Sequence, residues 1–171
     1  TCALPILDLA ERLQTPVFVM TDLDIGMNTR LCRPMQWDET KAYDRGKVMT
    51  YDMLEGGADF GRYNDVDGDG IPYRTYPGTH PQLGAYFTRG TTKDKYARYS
   101  EAGPDYVENV TRLLRKFETA KKLVPQPVLH KAKGEARFGA LYYGSTSPAM
   151  TEALDELAAK GIHIDAMRVR G

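Results

Sequence analysis

Cysteine is scarce in this chain of 171 residues, with Cys2 and Cys32 the whole supply. Two thiols without CxxC spacing cannot build a disulfide scaffold or hold an iron-sulfur cluster, and they fit a reducing cytoplasm. Net charge is lacking as well. Lys plus Arg equals Asp plus Glu, 23 against 23, so nothing draws the chain to nucleic acid or to an anionic membrane. No apolar run approaches the roughly 20 residues of a membrane span, and no basic-then-apolar leader opens the sequence. The histidines His80, His130 and His163 show no helical or zinc-finger spacing, which argues against zinc. Ser145 and Ser147 lack a GxSxG elbow, and "GSTS" at 144–147 lacks the lysine and glycines of a P-loop; helix capping is the simpler use for it.

A hydrophobic content of 42% suffices for a core, and the length fits one domain or two small pieces. Leu4, Leu7, Leu9, Ala10 and Leu13 share a face and predict a helix over 3–14, which Pro16 ends. "PVFVM" at 16–20 reads as a strand covered on both faces. It opens into "TDLDIGMN", a polar loop of the kind that gathers ligands beyond strand ends, so Asp22, Asp24 and Asn28 are candidate cofactor-binding residues beside the simpler reading of turn formers. From about 29 to 103 the pattern is weak, and short hairpins with ordered excursions are expected, including extended pieces at "PYRTY" and "GAYFT". Helical spacing returns between Pro104 and Val124, where Glu108–Arg112 and Glu118–Lys122 pairs read as a solvated face. "VPQPVLHKAKGEA" reads as a linker. "FGALYYG", a helix capped by Ser147 ahead of Pro148, and "IHIDAMRV" then make a βαβ unit.

"NDVDGDGIP" at 64–72 invites a calcium reading, since Asp65, Asp67 and Asp69 alternate ahead of Gly70. An EF-hand loop counted from Asp65 puts Tyr76 where a bidentate carboxylate is required, and Pro72 and Pro77 oppose an exit helix. A structural turn is therefore expected, with no metal site assigned; a small autonomous calcium-binding domain, or a structural interaction module, is the alternative. Arg74, Arg89 and Arg98 among Tyr73, Tyr76, Tyr86 and Tyr96 suit a carboxylate, an aromatic ligand or an interface.

Read together, "PVFVMTDLDIGMN", "RYNDVDGDGIPYRTYPGTHPQLGAYFTRGT", "LLRKFETAKKLVP" and "LYYGSTSPAMTEALDEL" resemble the α subunit of bacterial 2-oxoacid:ferredoxin oxidoreductases, most like the 2-oxoglutarate enzymes. The resemblance implies an oxidoreductase using thiamine diphosphate, which decarboxylates a 2-oxoacid, passes electrons through an iron-sulfur cluster to ferredoxin and transfers the acyl group to coenzyme A. The implied fold class is α/β. Residues 1–125 would be the C-terminal part of a pyrimidine-binding domain, 126–135 a linker, and 136–171 the start of a transketolase-C-terminal-like domain.

An internal fragment, inactive alone, is the expectation. The family's YPITP and R-x-G-P-S-T-G segments would lie upstream, and thiamine diphosphate, Mg2+ and the cluster would be held mainly by the β subunit. Where relatives carry "GxEHDExG", this chain has "GTTKDKYARY", with Arg89, Thr91 and Lys93 breaking the pattern, so no catalytic residue is carried over. The expected partners are the β subunit and ferredoxin, with the 2-oxoacid and coenzyme A as substrates. Arg74, His80 and Arg89 are the candidate substrate or interface residues, the acidic turn serving to present Arg74 and "TYPGTHP" to a neighbour or cavity.

Overall fold

The computed structural model of the chain describes residues 3–29, 31–34, 36, 38–88, 90 and 92–170, with side chains from Ile6 onward. In chain order the elements are α1 (Ala3–Leu13), α2 (Leu23–Met27), α3 (Tyr51–Glu55), α4 (Gly103–Leu123), β1 (Val128–His130), β2 (Phe138–Tyr142), α5 (Thr146–Ala159) and β3 (Ile164–Arg168). They fall into two compact units, Thr1–Val17 with Thr40–Leu123, and Phe18–Glu39 with Val124–Gly171. Among the described residues the architecture is mixed α/β with one small sheet. Among the described residues no helix is long and apolar enough to cross a membrane.

In the first unit α1 ends at the buried Leu13. Gln14 then takes a left-handed φ of 49°, and its side-chain amide donates to Pro72 O at 2.7 Å. Thr50 caps α3 by accepting from Met53 N, which seats Leu54 in a core shared with Leu13, Met49 and Ile71. Between residues 29 and 102 the expected hairpins reduce, among the described residues, to α3 and two isolated bridges, Val48 with Arg74 and Lys93 with Tyr99. Local turns closed by Asp and Thr side chains replace longer ladders here.

Helix α4 forms where its spacing predicts, but with the opposite face inward. Arg112 and Lys116 are buried, and Asp105, Asn109 and Thr119 half-buried. The outward face carries Tyr106, Val107, Leu114 and Phe117. The expected solvated charge face is thus corrected at Arg112, whose guanidinium donates to Gly70 O at 3.1 Å and lies over the Tyr63 ring. Thr119 Oγ1 donates to Asp69 O at 2.7 Å. The physical reason is the turn at 65–70. Its bare carbonyls need donors, and α4 brings them so close that a Cβ on Gly70, at φ 82°, would collide with the backbone of Arg112 and Lys116.

The second unit holds a three-stranded sheet in the order β1-β3-β2. β2 and β3 run parallel, with Ala140 opposite Ala166 and α5 between them in sequence, which is the expected βαβ unit. β1, within residues 126–135, adds to β3 antiparallel. Two expectations are corrected in this unit. Residues 16–20, which run from the first unit into this one, have no regular structure and join no ladder among the described residues, with Phe18 83% and Met20 87% exposed; an apolar β run stays unpaired when no neighbouring strand offers its edge. And α5 begins at Thr146, with Ser145 and not Ser147 at its cap position.

Candidate functional site

Ser145 makes no side-chain capping bond; Asp22 supplies the acceptor instead. Its Oδ1 accepts from Ile25 N at 2.8 Å, capping α2, and its Oδ2 accepts from Ser145 N at 2.9 Å. Gly144, at φ 62°, lets the turn approach so closely that a Cβ there would meet Asp22 Oδ2. The strand-to-helix turn is thus an anion site filled by the protein's own carboxylate. Asp24 Oδ1 accepts from the Asn28 side chain at 3.4 Å, and Asn28 closes the C-terminus of α2. Asp22, Asp24 and Asn28 therefore sit in one five-residue helix and its caps, with Asp22 also bound to the β2–α5 turn.

The three aspartates of the acidic turn each meet a cation or an N–H. Lys47 Nζ lies 2.6 Å from Asp67 Oδ2 and 2.8 Å from Asp69 Oδ1. Asp69 also accepts from Ile71 N, and Asp65 Oδ2 accepts from Gly70 N and pairs with Arg115. Burial opposes the charge on Lys47, but hydrogen bonds to Asp67 and Asp69 outweigh it and hold its pKa above the ordinary lysine value. Among the described residues, no three His, Cys, Asp or Glu side chains converge as a metal site.

Arg74 bonds inward. Its Nη2 donates to Glu11, to Arg45 O at 2.9 Å and to the Tyr76 hydroxyl. The bond to Glu11 ties α1 to the segment after the acidic turn, and it depresses the Glu11 pKa. His80 lies against the Tyr51 ring. Its Nδ1 accepts from Leu83 N at 2.8 Å and Gln82 N at 3.1 Å, which leaves Nε2 to donate to Glu55 Oε1 at 2.6 Å. That hydrogen bond lowers the Glu55 pKa. His80 thus locks the 80–83 turn. Arg89 lies outside the described residues.

The turn that His80 fixes forms one wall of a cleft of about 780 Å³ in the first unit. Leu54, Phe60 and Tyr86 give it apolar and aromatic walls, and Lys93, Tyr96 and Arg98 line it as well. No carboxylate is among its described lining residues. Of the lining residues, Arg98 lies over the Tyr96 ring, Lys93 over the ring of Tyr63 and Tyr86 under Arg62, so cations and aromatic rings meet at its walls. Such a cleft suits an acyl or aromatic group that carries negative charge. Interleaved Arg and Tyr signalled this chemistry in the sequence, but Lys93, Phe60 and Leu54 carry no sequence signal for it, because the cleft joins segments about 40 residues apart.

No family model matches this chain. Its fold is similar to that of a 2-oxoglutarate:ferredoxin oxidoreductase from Magnetococcus marinus, a structure with 2-oxoglutarate, coenzyme A and succinyl-CoA bound. The TM-score is 0.75 at 21% sequence identity. The similarity covers 95% of this chain but 27% of that one, so this chain spans about a quarter of its structural neighbour, and the likeness is one of fold.

Proposed function

We propose that the chain is part of the α subunit of a thiamine-diphosphate-dependent 2-oxoacid:ferredoxin oxidoreductase, acting on 2-oxoglutarate or a related 2-oxoacid and forming an acyl-CoA. The observation that carries this reading is the fold similarity over 95% of the chain to an enzyme of that activity, in agreement with the four motifs of the sequence resemblance. On this reading residues 1–125 belong to a pyrimidine-binding-type domain, 126–135 are a linker and 136–171 open a transketolase-C-terminal-like domain. The β subunit and ferredoxin are the protein partners.

The acidic side chains described above and the cysteine count do not fit the resident groups. Asp22 spends both carboxylate oxygens on backbone N–H groups, Asp65, Asp67 and Asp69 are paired with Lys47 and Arg115, and two cysteines cannot ligate an iron-sulfur cluster. As the resemblance implies, thiamine diphosphate, Mg2+ and the cluster are held mainly by the β subunit, and no chemical step is assigned to a residue here. What this chain offers is shaped surface. Its basic aromatic cleft has the chemistry to receive an acidic substrate or an acyl-CoA group, the ligand classes bound by the structural neighbour.

The test is to express the complete coding sequence with its β subunit, reconstitute the cofactors and follow ferredoxin reduction. Reduction that needs both 2-oxoglutarate and coenzyme A is expected. A loaded complex that reduces ferredoxin with no 2-oxoacid would overturn the proposal.

A further inference from the structure

Arg62, Arg112 and Lys116 form a group of cations without a counter-charge. The guanidiniums of Arg62 and Arg112 each stand 5.5 Å from the centre of the Tyr63 ring, with Lys93 over the same ring at 5.1 Å. Lys116 follows Arg112 by one turn of α4, on the face that packs against Gly70. Among the described residues none of Arg62, Arg112 and Lys116 makes an ion pair. Asp65, which faces Arg112, is engaged by Arg115 and by Gly70 N. Lys116 is 7% and Arg112 6% exposed, and the buried Nε of Arg112 has no acceptor. Elements of this unit already cover both side chains, so an outside segment finds no bare face on which to bring them a carboxylate. Burial first, and then the charges of Arg112 and Arg62, hold the Lys116 pKa below the ordinary lysine value. That favours the neutral amine, the nucleophilic form of lysine.

We infer that Lys116 is a carbamylation site: CO2 adds to its amine, and Arg62 and Arg112 hold the carbamate so formed. The Nζ lone pair attacks the carbon of CO2, one C=O bond opens to give a carboxylate, and the proton displaced from nitrogen leaves to solvent. No oxidant, reductant or further reactant enters. Two features favour CO2 over a dissolved anion. It is small and uncharged, so it loses little hydration on entering an enclosed site, whereas a phosphate or a free carboxylate must first be stripped of water. The charge then appears only once the bond is made, where two guanidiniums without carboxylates are at hand to bind it. The reaction replaces an uncompensated buried cation by an anion that two cations face, which turns repulsion within the group into attraction. The inference does not rest on the functional proposal; on that reading the decarboxylation would be a source of CO2.

The experiment is carbamate trapping. The full chain is equilibrated with isotopically labelled bicarbonate at about pH 8, where an ordinary lysine is almost wholly ammonium. Triethyloxonium ion then fixes any carbamate as its ethyl ester, and digestion with mass spectrometry locates the label. Label is expected on Lys116 and not on Lys121 and Lys122, which are exposed on the same helix, and unfolding in urea beforehand should abolish it. Arg62→Gln gives a second readout. It keeps the amine but removes one guanidinium, which favours the ammonium and leaves the carbamate less well held. A charge at close range shifts such an equilibrium by about one to three pKa units, so the bicarbonate needed for half-labelling should rise at least about tenfold. Circular dichroism should stay unchanged, because Arg62 is half-buried and makes no ion pair among the described residues. Lys116 labelled no more than Lys121, label that survives unfolding, or an Arg62→Gln chain that labels like the wild type would each overturn the inference.

Discussion

Lys47 shows how one side chain decides what an acidic turn is for. Its ammonium sits between Asp67 and Asp69 at 2.6 and 2.8 Å, so the turn's charge is balanced from within. Replacing it by methionine keeps the length of the side chain and strands two carboxylates. Lys47→Met is expected to lose about 1–3 kcal/mol of stability, as for a partly buried ion pair broken from one side, measured by urea unfolding. The pH dependence follows from the raised lysine pKa. The contribution is complete below the unfolded value near pH ~10.4 and is lost as pH rises through the folded one. The stability gap between wild type and variant should therefore be flat from neutral pH to about 9.5 and shrink above that. Millimolar Ca2+ should leave the wild-type Tm unchanged; a clear rise would mean that the cation displaces Lys47.

Elements in this chain were legible by period, not by orientation. The 3.6 spacing marks α1 and α4 and the alternation marks β3, because local pattern sets local geometry. Which face of α4 turns inward is decided by Asp69 and Gly70, more than 40 residues away, and no window on the helix contains them. The same holds at the start of α5. A capping serine was readable, but the acceptor that serves the turn is Asp22, 123 residues distant. Asp22 joins two elements by serving Ile25 N and Ser145 N together, so Asp22→Ala should destabilise the second unit by about 1–2 kcal/mol. Hydrogen exchange would show the amides of both Ile25 and Ser145 losing protection. Loss at Ile25 alone would reduce Asp22 to an ordinary cap.

The whole chain exposes 12904 Å², about half as much again as the ~8,400 Å² expected of a folded monomer of 19.2 kDa. Treating the two units as separate bodies raises the expectation only to about 10,000 Å². The remaining surplus includes bare apolar side chains: Phe138 and Leu141 on β2, an edge strand in the order β1-β3-β2, and the outward stripe of α4. Among the described residues six hydrophobic side chains are buried, and none is fully so. Denaturant sensitivity reports the surface gained on unfolding, so a chain that hides little in the folded state should show a shallow transition. At concentrations where it is monomeric, its urea m-value should fall well below that of a 171-residue globular domain. Assembly with whatever covers these faces should steepen the transition, since m grows with buried area. An m-value already normal in the isolated monomer would mean that these apolar faces find cover within the chain itself, and the case for an external partner would fail with it.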